Sequence, residues 1–169
     1  RHTVQHCQLT TPAQYRRIAA LGLCANLFAN HTFYWGDQHR ELTVGPDRAA
    51  RMNAAATALG HGVPLSMHSD APVTPLGSLH VAWCAVNRLT ASGQALGAEE
   101  RIAVADALRA VTIGAAYQLK MDGEVGSIAP GGWADFAVLE DDPYTVDPAG
   151  LRDVPVWGTV LAGEPQPAS

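Results

Sequence analysis

Cysteine is scarce in this chain: three among 169 residues, at Cys7, Cys24 and Cys84. An odd, widely spaced set argues for free thiols in a reducing compartment, and so for a cytoplasmic location, rather than a disulfide framework. Long apolar runs are missing as well. Nothing approaches the roughly 20 residues that cross a bilayer, and the opening Arg1-His2-Thr3-Val4 does not resemble a secretion signal. Membrane partners are therefore not expected. Basic runs are absent too: the formal charge is -5, which leaves nothing to favour nucleic acid or an anionic surface. The chain has no Gly-x-Ser-x-Gly elbow, no phosphate-cradling glycine loop after a strand, no His-x-His pair and no internal repeat.

What is present is a 47% hydrophobic sequence long enough to bury a core as one domain, or one domain with a small appendage. Its centre is Val63 to Pro72. With a two-residue period, Val63, Leu65 and Met67 form an apolar face while Ser66, His68 and Asp70 take the other. A polar face on a strand suggests a wet or functional surface. Pro72 stops the run, placing Asp70 at the carboxyl end of the strand, where α/β folds bind their ligands.

Around that strand the pattern alternates. Thr3 to Cys7 reads as a strand, Thr11-Pro12-Ala13-Gln14 as a capping box opening a helix, and Leu23 to Ala29 as a second strand. Asn30 to Gly45 is expected to be a long aromatic and imidazole-rich loop. Pro46 to Leu59 is expected to be one helix, Ser78 to cap the next, and Val104 to Leu119 to be a helix divided at Gly114. Strand and helix in alternation describe a parallel sheet with crossovers. Near Asp122 the texture changes to short strands and Gly, Pro and Asp turns, an antiparallel unit with a frayed tail from Gly163. The division is therefore residues 1–122 and residues 123–169.

His6 and Asp70 both fall at carboxyl ends of expected parallel strands, so the fold would bring an imidazole and a carboxylate to one rim. That pair suits a divalent metal such as zinc. Two ligands are too few to hold zinc tightly, and the plain alternative for a lone strand histidine is a hydrogen-bonded core residue. Cys7 has no evident activating partner and is a poor nucleophile.

Arg1-His2-Thr3-Val4-Gln5-His6-Cys7, Asn30-His31 with Tyr34-Trp35-Gly36-Asp37-Gln38-His39, His68-Ser69-Asp70-Ala71-Pro72-Val73, Ala85-Val86-Asn87-Arg88-Leu89-Thr90 and Gly126-Ser127-Ile128-Ala129-Pro130-Gly131 together resemble the carboxyl-terminal part of the amidohydrolase superfamily, in its YtcJ-like branch. The resemblance implies about three βα units of a (β/α)8 barrel followed by terminal strands of a composite β-sandwich. It implies a metal-dependent hydrolase that opens an amide or formamide C–N bond with metal-activated water. His6 matches the ligand after the sixth strand, and Asp70 the metal-side general base after the eighth. By the same resemblance, His31, Trp35 and His39 fall where barrel enzymes contact a small-molecule substrate, and His68 is expected to support the site by a hydrogen bond. The family's remaining ligands belong upstream, so the chain reads as a piece of something longer. On its own it could equally be a non-catalytic module that self-associates or pairs with the missing amino-terminal part.

Overall fold

A computed structural model describes residues 1–168. Three short parallel strands, β1 (Thr3–His6), β2 (Cys24–Leu27) and β3 (Leu65–Met67), stand in the order β1-β2-β3. Their register aligns Gln5 with Asn26 and Asn26 with Ser66. The polar face is thus a cross-strand ladder: Ser66 Oγ donates to Asn26 Oδ1 at 2.7 Å, and Asn26 Nδ2 to Gln5 Oε1 at 3.1 Å. Leu65 and Met67 turn the other way, into a core with Tyr15, Ile18, Leu27, Val81, Trp83 and Leu151. The chain is therefore α/β, and the period-two reading of β3 explains which face is polar.

Helix α1 (Pro12–Ala20) starts as its sequence dictates. Thr11 Oγ1 accepts from the Gln14 amide while Gln14 Oε1 accepts from the Thr11 amide, with Pro12 at the first helical position.

The segment expected to be a loop is helical instead. Helix α2 (His31–Gln38) runs into a π-helical turn, His39–Thr43. Aromatic and β-branched residues give it weak local propensity, so tertiary anchors decide. Asn30, fully buried ahead of the first turn, donates through Nδ2 to Thr74 Oγ1 at 2.8 Å. Phe33 packs edge-on against Trp83, and Asp37 accepts from Ser92 Oγ at 2.9 Å. A side chain on Gly36 would sit 2.8 Å from Thr90 Cγ2, so only glycine admits this approach.

The expected single helix over Pro46 to Leu59 is two, α3 (Pro46–Ala50) and α4 (Ala55–Gly60), parted at Asn53, whose φ is +49°. The carbonyls between them face Arg88 rather than a helical amide. Helix α5 (Ser78–Asn87) begins after Gly77, and Ser78 makes no side-chain cap bond. Helices α6 (Val104–Val111) and α7 (Ile113–Leu119) divide at Thr112, not at Gly114. Gly114 has a different duty: a Cβ there would lie 2.3 Å from the Leu65 carbonyl oxygen, so α7 rests directly on β3. Gly114→Ala is expected to destabilise the chain by about 1–3 kcal/mol in urea unfolding, since backbone cannot give way as a side chain can. An unchanged midpoint would show that α7 moves off the strand freely.

A second sheet is antiparallel: β4 (Phe136–Leu139), β5 (Val156–Leu161) and β6 (Glu164–Pro167) in the order β4-β5-β6. The tail expected to fray from Gly163 is instead paired over Glu164–Pro167, Thr159 facing Gln166, and Ser169 lies outside the described residues. Between β4 and β5, a 3₁₀ turn at Pro148–Asp153 docks on α5: Trp83 Nε1 donates to the Ala149 carbonyl at 2.7 Å. Among the described residues no helix is long and apolar enough to cross a membrane.

Candidate functional site

Parallel strands deliver their carboxyl ends to one rim, and the segments that follow β1, β2 and β3 supply the site. His6 closes β1 and Gln8 follows it; Phe28 and His31 follow β2; His68 and Asp70 follow β3. Strict alternation would leave His6 on the face of Val4. Left-handed backbone at His6 (φ +66°) and Cys7 (φ +48°) ends the extended run there, and Asp70 (φ +55°) bends the chain in the same way after β3. Such conformations cost free energy in residues with a Cβ and recur where a side chain must be aimed.

The outcome is a tight trio. The donor atoms of His6, His68 and Asp70 lie within 4.8 Å of one another. His6 Nδ1 is 3.1 Å from His68 Nε2. Phe28 stacks on the His68 ring at 5.3 Å between centroids, and His68 is tied through its backbone amide to the Leu27 carbonyl. Burial, then the neighbouring His6, holds the His68 pKa below the usual imidazole range, with Asp70 opposing. A neutral ring keeps a lone pair. Two imidazole nitrogens and one carboxylate oxygen are a donor set for a borderline divalent ion such as zinc, so the residues fit such a group.

Beside the trio lies an imidazole pair. His31 and His39 face each other with Nε2 atoms 3.4 Å apart. Gln8 spans both: its Oε1 lies 2.8 Å from His31 Nδ1 and its Nε2 lies 3.3 Å from His39 Nε2. Trp35 meets the His31 ring edge-on at 4.6 Å and Phe28 stacks beneath it at 4.8 Å. Burial first, then His39 and His6, pushes the His31 pKa down to about 4 despite the opposing Asp70 carboxylate. Cys7 donates to the Val4 carbonyl, and burial raises its pKa, which leaves a poor nucleophile.

His6 and Asp70 therefore meet, and His31, Trp35 and His39 cluster together, although on a helix rather than a loop. His68, expected to support the site by a hydrogen bond, stands 3.1 Å from His6 and also brings a ring nitrogen into the donor trio. Gln8 and Phe28 went unnoticed in the sequence. The available signal was positional, since each stands one or two residues beyond a parallel strand, on the rim where ligands gather.

The chain matches the model of the amidohydrolase family over residues 1–166. It is 30% identical over 162 residues to the N-substituted formamide deformylase of Arthrobacter pascens, covering 95% of this chain and 30% of the deformylase. To the YtcJ amidohydrolase of Bacillus subtilis it is 32% identical over 124 residues, 72% of this chain and 23% of that protein. Among solved structures it resembles a metal-dependent hydrolase from Pyrococcus horikoshii, with TM-score 0.73 at 19% identity over 86% of this chain and 30% of that one. It also resembles an adenosine deaminase from Xanthomonas campestris solved with zinc, with TM-score 0.68 at 22% identity over 96% and 36%. The chain thus spans less than half the length of each of these relatives.

Proposed function

Because the chain belongs to the amidohydrolase family, in its YtcJ-like branch, we propose that it is the carboxyl-terminal part of a metal-dependent hydrolase that opens a carbon–nitrogen bond of an amide or formamide. On this reading residues 1–122 complete a (β/α)8 barrel and residues 123–169 contribute strands to a composite sandwich. The observation that carries the proposal is the convergence of His6, His68 and Asp70 after β1 and β3. A divalent metal, zinc by preference, supplies Lewis acidity there and makes water ionise near neutral pH.

The chain's own residues do the rest. His6 and His68 offer ring nitrogens to the metal, and Phe28, stacked on His68, holds that ring in place. Asp70, at the rim, takes a proton from the attacking water as its oxygen bonds to the carbonyl carbon. The carboxyl group then returns that proton to the departing nitrogen as the C–N bond breaks, leaving a carboxylic acid and an amine. His31, Trp35 and His39 line the substrate side, with aromatic faces and hydrogen-bonding nitrogens suited to a small neutral molecule.

A second reading has its own observation. Among the described residues β1 and β3 each pair on one side only in the sheet β1-β2-β3, which supports pairing of this chain with the remaining part of the protein, or with itself. Both readings hold together if the module is inert until joined. The test uses the full-length enzyme and a panel of N-substituted formamides and amides, with amine release as the readout. Chelation is expected to lower the rate at least about hundredfold and added zinc to restore it. Undiminished turnover in thoroughly chelated enzyme would overturn the proposal.

A further inference from the structure

We propose that His31 and His39 form a second site for a divalent cation of the zinc class, distinct from the trio after β1 and β3, with Gln8 as its hydrogen-bonding support. The proposal goes beyond the substrate contact described above and does not depend on it. Its first basis is spacing. Two imidazole nitrogens, each about 2.0–2.1 Å from a tetrahedral zinc, stand about 3.3–3.4 Å from each other. The two Nε2 atoms are 3.4 Å apart.

The second basis is what the other ring nitrogens do. A histidine that holds a metal usually donates its remaining N–H to a nearby oxygen, which fixes the ring and its tautomer. Both have such an oxygen within reach: His31 Nδ1 lies 2.8 Å from Gln8 Oε1, and His39 Nδ1 lies 2.7 Å from Thr43 Oγ1. With both Nδ1 atoms protonated, both Nε2 atoms carry lone pairs, and the two lone pairs face each other. Gln8 Nε2 offers His39 Nε2 one long bond of 3.3 Å, while His31 Nε2 faces only the His39 ring nitrogen. A cation between the rings satisfies both nitrogens and displaces only the weakest bond of the set.

The third basis is rigidity. Phe28 and Trp35 hold His31 from below and from the side, and His39 occupies the first position of the π-helical turn. Two protein nitrogens leave coordination positions open, so the site takes water or a substrate oxygen as well. Neither ring belongs to the trio whose donors lie within 4.8 Å of one another.

The test titrates the metal-free chain with zinc alone and measures bound metal by equilibrium dialysis, each variant first matched to the parent by circular dichroism. A His6→Ala/His68→Ala double variant is expected to take up one zinc, held only weakly as two protein ligands allow, and adding His39→Gln to weaken that binding at least tenfold further. In the otherwise unchanged chain, His39→Gln alone is expected to remove one equivalent. Nitrogen NMR of the parent should show zinc moving the Nε2 resonances of His31 and His39 together. Zinc stoichiometry indifferent to His39→Gln, with those resonances unmoved, would overturn the site and leave the pair sharing a proton. Neither result touches the hydrolase reading, which rests on the trio.

Discussion

Replacing Arg88 by Met is expected to destabilise the chain by about 3–5 kcal/mol, since several buried carbonyls lose their donor at about 1–3 kcal/mol each. That is a large share of the roughly 5–15 kcal/mol that holds a domain together. Arg88 is 1% exposed and caps α5 in a left-handed conformation, φ +55°. Its guanidinium donates to five backbone carbonyls: Leu96 at 2.9 Å and Gly97 at 3.2 Å through Nε, Met52 at 2.8 Å and Asn53 at 3.0 Å through Nη1, and Ala50 at 3.1 Å through Nη2. Burial pulls its pKa down to about 10, with Glu100 and Glu99 opposing, so it stays charged at neutral pH. Methionine matches the bulk and strands four of the five acceptors, Gly97 keeping the Glu100 amide as its donor. Lysine keeps the charge but lacks the planar fork, and Arg88→Lys is expected to fall between the two. Urea unfolding with the slope checked for constancy measures both. A loss below about 1 kcal/mol for Arg88→Met would show that the turn after Ala50 stands without its clamp.

Asp70→Asn, made in the full-length enzyme, is expected to lower kcat by about 10²–10⁴ while the protein stays folded. Asparagine preserves the shape and one acceptor oxygen of the side chain but cannot carry the proton from water to the leaving nitrogen. Two readouts separate that loss from a merely loosened site. KM for the amide should change far less than kcat, because the proton transfer belongs to the transition state. Metal content at saturating zinc should remain measurable through His6 and His68. His61→Gln, on the turn after α4 and away from the rim, serves as the unaffected comparison. More than half of the parental rate in Asp70→Asn would remove Asp70 from the reaction.

How far the sequence carried these readings differs from residue to residue. Helix α1 was legible because its start is chemical and local: the Thr11 and Gln14 side chains bond the backbone within one turn. Strand β3 was legible because alternation is a property of the extended chain, and its polar face could be named before its partners were known. His6 and Asp70 could be paired because parallel strands send their carboxyl ends to one side. Helix α2 could not be read this way. Its residues are poor helix formers, and its order comes from contacts with Thr74, Trp83, Ser92 and Thr90 that each span at least 44 positions in sequence.

Sequence alone therefore determined the alternation of strand and helix, the amidohydrolase resemblance and the two ends of the trio, because each depends on spacing along the chain or on matched motifs. Tertiary structure decided the rest: that Arg88 breaks a helix by claiming its carbonyls, that His68 turns its nitrogen to His6, and that Gln8 stands between His31 and His39. Those outcomes depend on which distant groups compete for the same hydrogen bond or the same few ångströms of space, a competition that exists only once the chain has folded.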